Sequence, residues 1–508
     1  MSALICPKSS VGTTFPNTLL TPSPSQRRLS ELAYRAMGTI PTVTTSPSER
    51  HLFGTDGIRG VANEAPMTPE LALRLGRAIT FVAAQGKSRR PRVLIGKDTR
   101  LSGYMLETAL AAGVCAMGGK VMLCGPVPTP AVAHLTVSMR ADAGVVISAS
   151  HNPYRDNGIK VFGFNGFKLP DEQEAQIEQL MRDNHMDSFA PTGDRIGYAQ
   201  RIDDAKGRYV VFIKQTLPRE LTLDGLRIVV DAAHGAAYSV APTVFSELGA
   251  EVIAIGCSPD GKNINANCGA LHPEAVQAKV REHHAHIGIA LDGDADRVIL
   301  VDDAGNLVDG DAIMALYGTE QIKAGKLPCN TVVATVMSNL GLERALQAVG
   351  GKLVRTAVGD RYVVEEMLKS GYGFGGEQSG HLIFLDHAST GDGLVAALQV
   401  LVIMLRRQRP LSELVSQCLN RVPQVLKNVS LPSRKPVEQM PLLTRGIDGV
   451  QRQLGDDGRV LVRWSGTEPK LRVMIEGPKE DLIHRFADEL IELAKRDIPS
   501  QSPSVEVT

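Results

Sequence analysis

The sequence predicts an α/β fold: three similar mixed α/β domains followed by a smaller α+β C-terminal domain. Its 508 residues, 43% of them hydrophobic, can bury several cores, and a chain of this length suggests roughly three or four domains. Three times a short apolar run ends in a polar turn and opens a helical pattern, at Val93-Leu94-Ile95, Ile228-Val229-Val230 and Val332-Val333-Ala334. Buried strands alternating with helices indicate parallel sheets. From residue 426 onward the rhythm changes to one alternating strand and one long amphipathic helix.

Residues 1–48 are rich in Ser, Thr and Pro, with Arg27, Arg28 and Arg35 against the single acid Glu31, a composition that forms no packed core. They share the low acidity of a transit peptide and lack the apolar segment of a secretory signal. A disordered extension, or a start codon assigned too early, fits them best. Domain 1 is assigned to 49–200, with Val93-Leu94-Ile95 and Ala143–Ile147 as buried strands and Asp98-Thr99-Arg100-Leu101-Ser102 as a helix start. Domain 2, 201–306, carries a helix start over 231–235, and its runs Ile287–Leu291 and Val298–Val301 flank an acidic loop. Domain 3, 307–425, has a helix start at Ser338-Asn339-Leu340-Gly341 and a buried helix over 394–405. In domain 4, 426–497, Arg459–Trp464 alternates as a strand. Leu482, Ile483, Phe486, Leu490, Leu493 and Ala494 mark one buried face of a helix from 480 to about 496. Residues 498–508 read as a disordered tail.

Composition excludes several classes. Lys plus Arg equals Asp plus Glu at 55 each, so no global field recruits nucleic acid or an anionic membrane. An anionic substrate must be held by local clusters. The basic run 87–92 reads as a solvated loop, and the 394–405 stretch is too short to cross a bilayer. Seven cysteines are scattered without Cys-x-x-Cys spacing, which indicates neither a disulfide framework nor a zinc site and suits a reducing cytoplasm.

Ligands of parallel α/β sheets bind beyond the carboxyl ends of the strands, and the chemistry-bearing loops are expected there. Ser148-Ala149-Ser150-His151-Asn152-Pro153 begins where the strand 143–147 stops. Its turn residues hold the Ser150 hydroxyl at an exposed, tightly specified position suited to carrying a phosphoryl group. An isolated serine there would more often cap the turn. His151 is a poor activator of it, because neighbours in an extended segment point to opposite faces. Lys160 is the better candidate for the hydroxyl proton.

Asp292-Gly293-Asp294-Ala295-Asp296-Arg297 places three carboxylates at alternate positions, which in an extended loop turns their oxygens the same way. Hard oxygen donors select Mg²⁺ or Mn²⁺ and leave room for a phosphate oxygen and water. An EF-hand would need Gly at Arg297 and Glu at Asp303. Gly375-Gly376-Glu377-Gln378-Ser379-Gly380-His381 offers donors and acceptors for a polyhydroxylated sugar. It lacks the Gly-x-Ser-x-Gly pattern that would make Ser379 a hydrolase nucleophile. In Arg463-Trp464-Ser465-Gly466-Thr467-Glu468-Pro469-Lys470-Leu471-Arg472, amides around Gly466, two hydroxyls and guanidinium groups form a site for a non-reacting phosphate.

These four loops, preceded by Phe53-Gly54-Thr55-Asp56-Gly57-Ile58-Arg59-Gly60, stand in an order that resembles the α-D-phosphohexomutase superfamily from about residue 52 to about 496. The resemblance implies four domains around a central cleft, each contributing one loop. It implies a phosphorylated Ser150 as donor and one Mg²⁺ held by Asp292, Asp294 and Asp296 together with Ser150. Arg59, Lys160 and His381 match positions for phosphate contact or acid/base work, with Arg297 beside the metal. Glu377 and Ser379 would bind sugar hydroxyls or a 2-amino group, and Arg463, Ser465, Gly466, Thr467 and Arg472 the distal phosphate. Gln378 with Gly380-His381, and Val358-Gly359-Asp360-Arg361-Tyr362-Val363, look more like the glucosamine branch than the glucose branch.

The implied activity interconverts glucosamine 6-phosphate and glucosamine 1-phosphate through a bound 1,6-bisphosphate, in the cytoplasm, and feeds UDP-N-acetylglucosamine and cell-wall precursors. Mannose or glucose phosphates are the alternative substrates. The implied partner is a small sugar phosphate, with neither nucleic acid nor membrane, and the oligomeric state stays open, a homodimer included. The one departure is the 1–48 extension, since such enzymes usually begin shortly before the equivalent of Phe53.

Overall fold

A computed structural model of the chain describes residues 52–182, 184–465 and 470–498. The 1–48 extension, the tail apart from Ile498, and Gly466 and Thr467 of the phosphate loop lie outside the described residues. The chain divides into two compact units: residues up to Leu307 with His381–Leu405, and Val308–Gly380 with the residues from Arg406 on.

The first unit holds two sheets. In one, β1 (Ile58–Val61), β2 (Arg92–Lys97), β3 (Lys120–Pro126), β4 (Ala143–Ile147), β5 (Asp156–Gly163) and β6 (Tyr198–Arg201) lie in the order β1-β5-β4-β2-β3-β6. β2 runs parallel to β3 and β4, while β5 turns back antiparallel on β4 and β1. β4 is buried along its whole length, as a strand covered on both faces must be. Leu75 and Ile79 of helix Pro69–Ala84 and Leu106 and Leu110 of helix Gly103–Ala116 pack with Val93, Ile95, Val145 and Ile147. These two helices cross so closely that a Cβ on Gly76 would stand 2.3 Å from the Leu110 carbonyl, and one on Gly113 2.1 Å from that of Leu73.

The other sheet contains β7 (Arg227–Asp231), β8 (Glu251–Ile255), β9 (Ile287–Leu291) and β10 (Val298–Val301), with β9 parallel to β7 and antiparallel to β10. The helix expected to start over 231–235 begins only at Val240. Ala233 and His234 take left-handed φ of 52° and 51°, which no right-handed helix can pass through. Helix Gly393–Arg407 is the predicted buried helix. Asp392 caps it, accepting from the Leu394 and Val395 amides at 3.0 and 3.1 Å and from the Tyr209 hydroxyl at 2.7 Å. The basic run 87–92 is a loop as far as β2, with Lys87 and Arg89 exposed, as expected, and both also pair with the buried Asp142, at 2.6 and 2.7 Å.

In the second unit β11 (Thr331–Thr335) runs parallel to both β12 (Lys352–Thr356) and β13 (Phe374–Gly376). Helix Leu340–Gln347 follows β11 and starts at Asn339, whose Oδ1 accepts from the Gly341 amide at 2.9 Å. The C-terminal part is an antiparallel sheet, β14 (Gln424–Ser430), β15 (Arg459–Trp464) and β16 (Lys470–Glu476), in the order β14-β16-β15. Helix Glu480–Asp497 buries Ile483, Phe486, Leu490 and Ala494, residues of the predicted face. The molecule is thus three mixed α/β parts and a smaller α+β part. Among the described residues no helix is long and apolar enough to cross a membrane, and Cys115, Cys124, Cys257, Cys268 and Cys418 are free thiols.

Candidate active site

Lys97 pairs with Ile147 at the ends of β2 and β4, so the loops that follow leave the sheet side by side. Ser148 Oγ donates to Asp98 Oδ2 at 2.6 Å and accepts from the Ser150 amide at 2.9 Å. Ser150 then takes a left-handed φ of 51°. Its hydroxyl donates to Asp292 Oδ2 at 2.5 Å. Two expectations are corrected here. Ser150 is fully buried rather than exposed, its hydroxyl against Asp292 and its carbonyl under the Arg100 guanidinium and the Asn265 amide. The segment is also not extended, so the His151 ring is not turned away, and its Nδ1 lies 3.4 Å from Ser150 Oγ. That nitrogen also faces Arg297 Nη1 at 2.8 Å. Burial, followed by the charges of Arg297 and Arg59, pushes the His151 imidazole down to about 4; it is neutral, with Nδ1 as acceptor.

The three aspartates converge, but not by strand alternation. Ala295 takes a left-handed φ of 57° and its amide donates to the Asp292 carbonyl at 3.1 Å, so the loop is a tight turn. Oxygens of Asp292, Asp294 and Asp296 lie within 4.8 Å of one another, and all three residues are buried. Burial, then repulsion from Asp294 and Asp296, raises the Asp292 carboxyl well above its usual range. Asp296 is held well below it, because Lys160, His381 and Arg297 outweigh the effect of burial. Among the described residues Asp294 Oδ1 has no hydrogen-bond partner, and Asp296 Oδ1 has around it His381 Nδ1 at 3.6 Å and Arg297 Nε at 3.9 Å. A buried carboxylate oxygen without a donor costs on the order of 1–3 kcal/mol or more. Clustered hard oxygens left this way fit a divalent cation.

Lys160 Nζ lies 3.0 Å from both Asp294 and Asp296 and 3.1 Å from Asp56. Burial would lower its pKa, yet the three carboxylates hold it well above the ordinary lysine value. The three carboxylates thus hold Lys160 as a cation in this structure. Arg59 pairs with Asp56 and reaches Asn152 Oδ1 at 3.4 Å. His381 Nε2 accepts from the Gly391 amide at 3.2 Å, which leaves Nδ1 to face Asp296.

In the second unit, Glu377 accepts from the Gly359 amide at 3.1 Å and from Ser379 Oγ at 3.3 Å. The Glu377 loop and the 358–363 segment thus meet. Arg463 and Arg472 are directly opposed on β15 and β16. Burial, then the charge of Arg472, lowers the Arg463 pKa, and neither Nε has a partner among the described residues. Ser465 is buried beside them, its amide donating to the Lys470 carbonyl at 2.8 Å. Two opposed guanidinium groups call for an anion.

Reasoning from sequence assigns no role to Asp56, Thr129 or Asn265. Thr129 donates to Asp294 Oδ2 at 2.7 Å. Asp56 stands inside the 53–60 motif, which is its only signal in the sequence; Thr129 and Asn265 reach the site through the fold alone.

Profiles of the phosphoglucomutase/phosphomannomutase family match the chain in order: alpha/beta/alpha domain I over 50–187, domain II over 207–305, domain III over 309–422 and the C-terminal domain over 426–493. The chain belongs to this family of phosphohexomutases. Among its relatives, a phosphoglucosamine mutase of Sorangium cellulosum is 65% identical over 91% of this chain and 97% of its own length. One from Anaeromyxobacter sp. is 62% identical over 89% of this chain and 97% of its own. The crystal structure of a phosphoglucomutase/phosphomannomutase family protein from Burkholderia thailandensis superposes with a TM-score of 0.74 at 28% identity, covering 90% of this chain and 99% of that one.

Proposed function

We propose that the chain interconverts glucosamine 6-phosphate and glucosamine 1-phosphate, with Ser150 carrying the phosphoryl group and Mg²⁺ as the ion on Asp292, Asp294 and Asp296. The observation that carries this reading is the Ser150 hydroxyl, buried and 2.5 Å from Asp292 Oδ2, in a chain 65% identical to a phosphoglucosamine mutase.

A phosphoserine and a sugar phosphate repel, and each pair of like charges 4 Å apart costs about 4 kcal/mol at an effective dielectric of about 20. Lys160, Arg59 and Arg297 supply fixed positive charge against this. A bound Mg²⁺ supplies further charge at the phosphoryl oxygens. In the forward direction the phosphoryl group leaves Ser150 Oγ and bonds to O1 of glucosamine 6-phosphate. The proton of that hydroxyl ends on Ser150 Oγ, which then has the hydroxyl-to-Asp292 hydrogen bond seen in this structure. The bisphosphate turns end for end, its O6 phosphoryl returns to Ser150, and O6 takes the proton back. Glu377 and Ser379 hold the sugar, and Arg463, Ser465 and Arg472, with Gly466 and Thr467, hold the distal phosphate in either orientation. A reducing cytoplasm is the compartment this reading assumes.

Rates on glucosamine, glucose and mannose phosphates, measured with Mg²⁺ in one coupled assay, test the substrate. Glucosamine phosphate should lead by at least about tenfold, since a site built for an amino group leaves buried polar groups unpaired with an analogue that lacks one. An equal or faster rate on mannose or glucose phosphate would transfer the chain to those substrates.

A further inference from the structure

We infer that Arg100 is a positioning residue for phosphoryl transfer: with Asn265 it locks the backbone of the Ser150 loop in the conformation that presents Oγ to Asp292. The inference rests on Ser150 being the phosphoryl carrier. Arg100 is wholly buried, and it heads the largest fully buried side chains. Its Nε donates to Asp98 Oδ2 at 2.8 Å; Nη1 donates to the carbonyls of Pro153 and, at 3.1 Å, Asp156; Nη2 donates to those of Ser150 and Asn152, both at 2.9 Å. A guanidinium has five N–H donors in a planar fork. All five are used, four of them on carbonyls of the segment that carries the candidate nucleophile.

The clamp is anchored and closed from other sides. Asp98, which orients the guanidinium, also accepts from Ser148 Oγ at 2.6 Å and from the Arg100 amide at 3.0 Å. Asn265 Nδ2 donates to the Ser150 carbonyl at 2.9 Å and the Asn152 carbonyl at 3.1 Å. A Cβ on Gly293 of the aspartate loop would stand 2.6 Å from the Ser150 carbonyl oxygen. Ser150 needs this restraint, since its φ of 51° is one that L residues seldom hold unaided. Misplacing a reacting group by about 1 Å can cost on the order of 10²-fold in rate. Lysine has only three donors, at the tip of a flexible stem, and cannot reproduce the fork. The side-chain donors of Arg100 and Asn265 described here go to Asp98 and to backbone carbonyls of the loop, not to Ser150 Oγ.

The test uses the full-length enzyme as wild type, Ser150→Ala, Arg100→Lys and Asn265→Gly. Glycine at 265 removes both side-chain donors, adds no charge, and accepts the left-handed φ of 58° found there. With glucosamine 6-phosphate as substrate, Arg100→Lys should lower kcat by about 10²-fold and Asn265→Gly by about tenfold, with KM within about threefold of wild type for both. A merely structural role would reduce the amount of folded enzyme and leave kcat per folded molecule unchanged. Folded Asn265→Gly or Arg100→Lys enzyme with kcat within about twofold of wild type, alongside an inactive Ser150→Ala, overturns the inference and leaves the carrier role intact. Turnover by Ser150→Ala overturns both. If Arg100→Lys does not fold, Asn265→Gly decides alone.

Discussion

The Ser150 hydroxyl faces a carboxylate raised above its usual range by burial and by its two aspartate neighbours, and Lys160 Nζ lies 3.0 Å from one of those neighbours, Asp294. Replacing Ser150 by alanine removes only the accepting oxygen, so turnover should fall by at least about 10³-fold while the folded state persists. A coupled assay together with far-UV circular dichroism checks both halves. Asp294 is the sharper probe of the metal, because Oδ2 is occupied by Lys160 and Thr129 whereas Oδ1 has no donor among the described residues. Asp294→Asn should lower the rate and raise the Mg²⁺ concentration needed for half-activity together. An unchanged Mg²⁺ titration would remove that aspartate from the metal site. Residue type and spacing single out Ser150 and the three aspartates, but a serine at a strand end would by itself more often cap a turn, and the carboxylates converge through the turn at Ala295 rather than by strand alternation. Arg100 is not singled out: its sequence context reads as a helix start, and its five partners become visible only once the loops after β2 and β4 lie side by side.

Strands β4, β9, β10 and β15 coincide with the apolar or alternating runs that predict them, because burial on one or both faces dictates side-chain type residue by residue. The stretch 231–235 has the composition of a helix start and forms a turn instead. Its left-handed residues are held by non-local contacts, including Gly235, where a Cβ would stand 2.3 Å from the Gly293 carbonyl. Helix Gly310–Lys323 carries a pH response. Asp311 in its first turn is buried and accepts from the Asn339 amide at 2.8 Å. Burial and the neighbouring Asp309 push its carboxyl up to about 7, against about 3.9 in an unfolded chain. The folded state therefore keeps a proton that the unfolded chain has already lost. The stability this group contributes is complete below about pH 4 and disappears as pH rises through about 7. The stability difference of Asp311→Asn relative to wild type should shift in favour of the variant between pH 5 and pH 8, read from urea midpoints. The same difference at both values would contradict a raised Asp311.

At the scale of the molecule, a chain of zero formal net charge concentrates its positive charge in places rather than overall. Lys160, Arg59 and Arg297 gather around Ser150 in one unit, and Arg463 and Arg472 oppose each other in the other. The number and kind of α/β parts follow from periodicity. The meeting of Ser150 and Asp292, separated by 142 positions in the chain, does not; no local pattern encodes it, and only the resemblance of the ordered loops to a known family anticipates it. The central claim is that phosphate passes through Ser150. The direct measurement is to load Ser150 with a radiolabelled phosphoryl group, add unlabelled glucosamine 6-phosphate and Mg²⁺, and follow the label over the first turnovers. Label should leave the protein for glucosamine 1,6-bisphosphate and then the monophosphates at the rate of product formation. Label that stays on the protein while glucosamine 1-phosphate accumulates would contradict the account.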